Sequence, residues 1–183
     1  MIRTRFFSKH CSFLHRLVAT TLPLFALLCA QNNVLALADD ARQQIVVEAN
    51  SSEFFPDQGL FIHHGSDVKP ARITQGSLQI SGAEIRIERN ADGTLKMITT
   101  SGSPARFQQQ PAIDEAIIHA SGKTLVFDNN TQLLTIETEA EFIQQGYTIR
   151  GHRIDYDLVK RSASATSLSP EDQLIMTIPP TEN

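Results

Sequence analysis

Residues 125–136 read Leu-Val-Phe-Asp-Asn-Asn-Thr-Gln-Leu-Leu-Thr-Ile and contain the pattern that decides the fold. Leu125 and Phe127 stand at alternate positions before a run of turn-forming residues, and Leu134 and Ile136 alternate after it. Side chains two positions apart on a strand share a face, so each arm can bury one face and expose the other. The stretch therefore predicts a β-hairpin.

The same period of two extends from Ile45 to Thr177, with turn residues about every 8 to 12 positions. No segment keeps a helical period over three turns. Thr, Gln, Ser, Arg and Glu stand between the apolar positions, which is typical of antiparallel sheets with one face in water. The sequence predicts an all-β fold, a single antiparallel, jelly-roll-like domain of repeated hairpins.

Three segments of the chain form an internal repeat. In Ser81–Glu88, Ser121–Asp128 and Arg150–Asp157, a Gly is followed by apolar residues at the third and fifth positions and then by an acidic residue. We expect each Gly to allow a kink or bulge in its strand. Hairpins that cannot close a core alone must stack on their neighbours, which leaves unpaired strand edges at both ends of the domain.

The N-terminus has the features of an export signal. Its basic start has no acidic residue, Leu17 to Ala30 are apolar, and Ala36-Leu37-Ala38 precede Asp39. The apolar run is shorter than the ~20 residues that span a bilayer. The sequence predicts a cleaved signal peptide at 1–38, export to the periplasm and a mature domain at 39–183 with a short C-terminal tail. A retained N-terminal anchor is the alternative.

Composition excludes several kinds of partner and site. Both cysteines, Cys11 and Cys29, lie in the predicted signal, so the mature chain has no disulfide. It keeps 16 − 4 = 12 basic and 20 acidic residues, a formal charge of −8. Such a balance disfavours nucleic-acid binding, which needs Lys and Arg to neutralise phosphates.

The sequence shows no catalytic or metal-binding signature. His63 and His64 are adjacent, so on a strand they would face opposite ways, and we expect them in an exposed loop. Glu137, Glu139 and Glu141 would share one strand face, where we expect them to be solvated. The expectation is a protein that is not an enzyme, with no cofactor and no metal.

Three motifs resemble those of a known family. They are Ile73-Thr74-Gln75-Gly76-Ser77-Leu78-Gln79-Ile80, Gly102-Ser103-Pro104-Ala105-Arg106-Phe107-Gln108-Gln109 and Ile149-Arg150-Gly151-His152-Arg153-Ile154-Asp155-Tyr156-Asp157. In order and spacing they are similar to the OstA-like domain of the LptA family, periplasmic lipopolysaccharide-transport proteins. The chain departs from the family pattern at Ala83, Lys123 and His152, where an Asp is usual, and at 137–139, where Thr-Gly-Asn is usual.

The resemblance implies a V-shaped β-jelly roll, open at both ends, that passes lipid A acyl chains along an apolar groove. It implies an LptC-like partner at the inner membrane, an LptD-like partner at the outer membrane, and head-to-tail joining of like domains. The alternatives are an anchored LptC-like subunit, a β-sandwich carbohydrate-binding or adhesion module, which would want more Trp and Tyr, and a periplasmic hydrolase using the strand carboxylates.

Alternation identifies the candidate binding residues. Because the mature chain is acidic, we expect it to hold acyl chains inside and to leave lipid phosphates toward solvent. The predicted lining is Ile45, Val47, Ile80, Ile85, Ile87, Phe107, Phe127, Leu134, Ile136, Phe142, Ile154 and Tyr156. Among these, Ile45, Val47, Phe107 and Phe127 match positions that the family turns toward lipid. The predicted partner edges are Ile45, Val46, Val47 and Glu48 at one end and Leu174, Ile175, Met176, Thr177 and Ile178 at the other.

Overall fold

A computed structural model describes residues 43–112 and 114–180, and the predicted signal peptide at 1–38 lies outside them. The described residues form antiparallel strands and one short 3-10 helix, Pro56–Gln58, which confirms the all-β prediction. The strands are β1 (Val46–Glu48), β2 (Ser51–Phe55), β3 (Leu60–His64), β4 (Ala71–Gln75), β5 (Leu78–Gly82), β6 (Glu84–Arg89), β7 (Leu95–Gln109), β8 (Ile118–Asp128), β9 (Leu133–Gln144), β10 (Tyr147–Asp157), β11 (Ser162–Thr166) and β12 (Ile175–Thr177). Within the described residues, no helix is long and apolar enough to cross a membrane.

Four long strands, β7 to β10, pass through two half-sheets. Their pairing partners differ on the two sides: the first part of β7 pairs with β6 and its last part with β5. We call sheet I the set β1, β4, β5, the end of β7, the start of β8, the end of β9, the start of β10, and β12. Sheet II is the set β2, β3, β6, the start of β7, the end of β8, the start of β9, the end of β10, and β11.

Irregularities in the long strands mark the boundary between the two half-sheets. The register shifts between Ser101 and Ala105 in β7, between Ser121 and Thr124 in β8, and between Gly151 and Arg153 in β10. The repeat glycines Gly122 and Gly151 stand at these shifts, as predicted. In β9, which has no Gly there, Thr138 and Glu139 adopt positive φ angles of 61° and 58°.

Close backbone approach explains the need for Gly at this boundary. A Cβ on Gly82, the last residue of β5, would lie 2.3 Å from Thr100 Oγ1 and 2.5 Å from the Ser101 carbonyl oxygen. A Cβ on Gly122 would lie 2.9 Å from Ile136 Cγ2. Neither distance is possible without displacement of a neighbour, so the repeat glycines let neighbouring strands stay close where the sheet bends.

The core lies between the two half-sheets and joins them. Phe107 of sheet I and Phe127 of sheet II have ring centroids 6.2 Å apart, and Phe142 stacks on Tyr156 at 4.7 Å. All four side chains belong to one continuous cluster of buried residues. Such aromatic pairs are specific packing contacts beyond simple area burial. The two half-sheets therefore share one hydrophobic interior.

Candidate functional site

The interior face of sheet I has one apolar residue from each of its eight strands in a cross-strand row. Directly opposed residues of antiparallel strands share a face, so the register defines the row. From edge to edge it contains Val47, Ile73, Ile80, Phe107, Ala120, Phe142, Ile149 and Met176. We call it row 1.

Sheet II contributes two rows to the same interior. Row 2 contains Phe54, Phe61, Ile87, Ile98, Phe127, Leu134, Tyr156 and Ala163. Row 3 contains Ser52, His63, Ile85, Thr100, Leu125, Ile136, Ile154 and Ala165. Row 2 is apolar throughout, whereas row 3 begins with polar residues on the side of β2.

The structure places eleven of the twelve predicted lining residues on these rows. The twelfth, Ile45, lies two positions before Val47 and so shares its face by alternation. The nine core members, Ile80, Ile85, Phe107, Phe127, Leu134, Ile136, Phe142, Ile154 and Tyr156, are buried, and Ile87 packs against them partly exposed. Ile45 and Val47 are exposed because the sheet ends at β1.

Rows 1 and 2 end in exposed apolar side chains. Val47 is 39% exposed and Phe54 56% exposed at the β1–β2 end, and Met176 is 58% exposed at the β11–β12 end. The middle of the rows is filled by the protein's own side chains, as the contact between Phe107 and Phe127 shows. The rows therefore reach solvent at the sheet edges.

The expectation of an exposed loop at His63-His64 is wrong. Both residues lie in β3, and His63 is only 7% exposed, facing the interior opposite Ile85. Its Nδ1 atom is 2.8 Å from Ser52 Oγ. Burial lowers the pKa of His63 below the usual value of 6.5, and the adjacent His64 lowers it further. His63 is missed because a polar residue on an interior row breaks the alternation that identifies its neighbours.

A cavity of about 570 Å³ opens where β2 and β3 meet the turn after β6, lined by Phe54, Phe61 and Arg89 among others. The rings of Phe54 and Phe61 stack with centroids 4.2 Å apart, and the Arg89 guanidinium carbon lies 4.9 Å from the Phe61 centroid. An exposed cation thus stands beside aromatic surface at this rim. The predicted lining did not include these three residues, although Arg89 alternates with Ile85 and Ile87.

The acidic residues considered for catalysis are held in cross-strand ion pairs. Glu137 is 2.6 Å from Arg153 Nη1, Glu139 is 2.7 Å from Lys123 Nζ, and Arg150 Nε donates to Glu141 at 2.9 Å. Within residues 43–112 and 114–180, no three His, Cys, Asp or Glu side chains are grouped as metal ligands. Each of these carboxylates therefore has a basic partner on a neighbouring strand.

The predicted partner edges contain the terminal strands of sheet I, β1 and β12, and Ile45, Leu174 and Ile178 flank these strands. In the described part of the chain, β1 pairs only with β4, and β12 pairs only with β10. Ile45, Val46 and Val47 are exposed at one edge, as are Leu174, Ile175, Met176 and Ile178 at the other. Each edge therefore combines unpaired backbone groups with exposed apolar side chains, the combination that favours strand addition.

Comparisons with known proteins agree on one group of relatives. Residues 46–162 match the family model described as LptA/(LptD N-terminal domain) LPS transport protein. The chain is 31% identical over 169 residues to the lipopolysaccharide export system protein LptH of Pseudomonas aeruginosa, covering 87% of this chain and 94% of that protein. The crystal structure of LptH, the LptA-homologous periplasmic component of the lipopolysaccharide transport device of P. aeruginosa, matches with a TM-score of 0.68 and 28% identity. That match covers 78% of this chain and 99% of the other.

Proposed function

From the premise that this chain belongs to the LptA/(LptD N-terminal domain) family of lipopolysaccharide transport proteins, we propose that it is a periplasmic lipopolysaccharide-binding carrier. In this role it bridges inner- and outer-membrane components and passes lipid A acyl chains along its interior. It performs no chemical step. LptH, a protein of similar length, is named for lipopolysaccharide export, which supports the assignment.

The observation that carries the proposal is the set of interior rows that run from one sheet edge to the other. Row 1 crosses eight strands and ends in Val47 and Met176, both exposed. With strands ~4.8 Å apart, seven steps span about 34 Å. An acyl chain of about 12 carbons is held by on the order of 9 kcal/mol of hydrophobic free energy. A carrier must therefore offer apolar surface continuously, because any gap would expose the chain to water.

Acyl chains reach the centre only if the interior opens. Phe107 and Phe127, and likewise Phe142 and Tyr156, bridge the half-sheets and fill the middle. We infer that lipid first contacts the exposed row ends at Val47 and Phe54. The lipid then separates the Phe107–Phe127 and Phe142–Tyr156 pairs. Its acyl chain replaces the buried contacts that these rings lose.

The charge of the protein supports different positions for the acyl chains and the anionic head group of the lipid. The mature chain, at −8, repels phosphate over most of its surface. Arg89 is an exposed cation at the rim of the cavity beside Phe54 and Phe61. We propose that acyl chains supply most of the binding free energy and that the lipid head group stays at this rim, toward solvent.

Strand direction supports head-to-tail assembly through the free edges. Successive strands of sheet I are antiparallel and eight in number, so β12 runs antiparallel to β1. The same holds for β11 and β2 in sheet II. A second copy, or an LptC-like or LptD-like domain of the same fold, can thus extend both half-sheets without breaking the alternation.

A periplasmic location requires that the chain is exported. We propose that residues 1–38 are a cleaved signal peptide and that residues 39–183 form the mature domain. Mass spectrometry of the protein recovered from the periplasm tests the cleavage. An N-terminus at Asp39 is the expected result, whereas a retained N-terminus would indicate the anchored, LptC-like alternative.

The proposal is tested by placing a photo-crosslinking residue at Val47, at Phe107 or at Arg161 in cells that make lipopolysaccharide. Val47 is a row end, Phe107 is 2% exposed in the centre, and Arg161 is an exposed residue in the turn before β11. We expect lipopolysaccharide adducts at Val47 and Phe107 and none at Arg161. Adducts at Val47 alone would show that lipid does not enter the centre. Equal capture at Arg161 would contradict an interior site altogether.

A further inference from the structure

The β2 end of row 3 is polar within an otherwise apolar interior. Ser52 and His63 face each other across β2 and β3, and Thr100 follows beyond Ile85. Thr100 donates through Oγ1 to the Glu84 carbonyl oxygen at 3.0 Å, so its hydroxyl proton is already used. His63 is the titratable member of this group and is 7% exposed.

One nitrogen of the His63 ring remains open to a ligand. Nδ1 pairs with Ser52 Oγ at 2.8 Å, and Nε2 has no hydrogen-bond partner among the described residues. Every fully buried side-chain nitrogen or oxygen in that part of the chain does have a partner. Nε2 therefore keeps some accessible surface. A polar atom left unpaired beside an apolar interior is unfavourable, and a ligand group that pairs with it gains affinity.

His63 lies next to the opening through which the proposed lipid enters. Phe61, two residues earlier on the same strand face, lines the cavity of about 570 Å³ together with Phe54 and Arg89. Two residues of a strand span about 7 Å. An acyl chain whose charged end stays near Arg89 therefore places its first few carbons beside His63.

We propose that His63, held by Ser52, is a specificity-determining residue that hydrogen-bonds through Nε2 to a hydroxyl carried near the polar end of an acyl chain. This inference rests on the proposed function and deepens it by naming a feature of the lipid that is recognised. A hydroxyl both donates and accepts, so it pairs with either tautomer of the imidazole that Ser52 permits. An acyl chain without this hydroxyl would exclude water from Nε2 and leave that atom without a hydrogen-bond partner.

The test compares two fatty acids that differ by one hydroxyl, 3-hydroxytetradecanoate and tetradecanoate, as competitors of a fluorescent fatty acid on the mature chain. We expect the wild type to bind the hydroxylated acid about fivefold more tightly, the effect of one neutral hydrogen bond. His63→Phe should bring the ratio to about one without weakening tetradecanoate. Ser52→Ala should lower the ratio, since it releases Nδ1.

His64→Phe is the matched control, because His64 is the adjacent histidine on the opposite strand face, where it contacts Glu53 and Glu84. It should keep the wild-type ratio. In nitrogen NMR, the Nε2 resonance of His63 should shift with the hydroxylated acid and not with tetradecanoate. Thermal unfolding checks that each variant is folded. If His63→Phe is not folded, the response of the His63 Nε2 resonance in the wild type tests the proposal instead.

Two results would overturn the inference: a wild-type ratio of one, or the same ratio in His63→Phe as in the wild type. If lipopolysaccharide were still captured at Val47 and Phe107, that failure would concern His63 alone. If neither fatty acid bound and no lipopolysaccharide were captured, the proposed function itself would fail with it.

Discussion

At the scale of single residues, Phe107 joins the two half-sheets through its contact with Phe127. Phe107 is 2% exposed, and its ring lies 6.2 Å from that of Phe127. We expect Phe107→Ala to lower the free energy of unfolding by about 3–5 kcal/mol, because it removes buried area and leaves a cavity. Urea denaturation measures the loss. Val159→Ala, at a position 72% exposed, is the control and should change it by no more than about 0.5 kcal/mol.

Asp155 makes the stability of sheet II depend on pH. Hydrogen bonds from Arg153, at 2.9 Å, and from Thr135, at 2.7 Å, hold the pKa of its carboxyl below the usual 3.8. A carboxyl whose pKa is lowered by folding stabilises the fold above its unfolded pKa. That contribution is lost as the pH falls through 3.8 toward the native value.

We therefore expect Asp155→Asn to destabilise the protein at about pH 7 and to cost much less at about pH 2.5. Urea midpoints at the two pH values measure the difference. Glu171→Gln, at an exposed position in the C-terminal segment, is the control and should change neither midpoint. An equal loss from Asp155→Asn at both pH values would contradict the assignment.

Residue faces were predictable from the sequence because alternation alone determines them. That is why Ile80, Phe107 and Tyr156 were placed correctly on the interior rows. Alternation says nothing about whether a shared interior is filled or open, since that depends on the spacing between half-sheets. His63 was not found because it is a polar residue on an interior row, and Arg89 was not found because it is an exposed polar residue at the end of β6.

At the scale of strands, glycines at the bend between half-sheets are required for different local reasons. A Cβ on Gly82 would meet Thr100 Oγ1 at 2.3 Å and the Ser101 carbonyl oxygen at 2.5 Å. A Cβ on Gly151 would meet the end of the Leu174 side chain at 2.6 Å, which can move, and the nearest backbone atom only at 3.2 Å. Steric conflict is therefore more severe at Gly82.

We expect Gly82→Ala to cost about 2–3 kcal/mol and Gly151→Ala about 1 kcal/mol or less, within the usual range for overpacking. The free energies of unfolding of the two variants, measured side by side, give the comparison. The reverse order would show that the backbone at Gly82 relaxes freely.

Local hairpins and their bulges were predictable, whereas distant pairings were not. The turn after Phe127 and the glycine bulges depend on residues close in sequence. The pairing of β3 with β6 and of β1 with β4 depends on which strands the bend brings together. The segment containing His63 has little alternation of its own, and it becomes a strand because β2 and β6 supply partners on both sides.

At the scale of the whole molecule, β1 and β12 are the two edges of sheet I, and we propose that the β12 edge of one copy pairs with the β1 edge of the next. β12 contributes three exposed residues paired only to β10 in the described chain, so its loss removes little buried area. We expect deletion of residues after Ser167 to leave a folded protein whose β12-side edge of sheet I no longer accepts a partner. Deletion of residues 39–49 should do the same at the β1 edge.

These two truncations together give a sharper test than either alone. Head-to-tail assembly joins β12 to β1 in sheet I and β11 to β2 in sheet II. Each truncated chain keeps only the β11 and β2 part of this joint, so it should be monomeric by itself at concentrations where the mature chain assembles. Mixed, they should form a heterodimer and nothing larger, since the intact β1 edge of one can meet the intact β12 edge of the other. Sedimentation velocity distinguishes these states, with the untruncated mature chain as the reference for longer assemblies. Either truncated chain forming the same assemblies as that reference would mean that surfaces other than β1 and β12 join the copies.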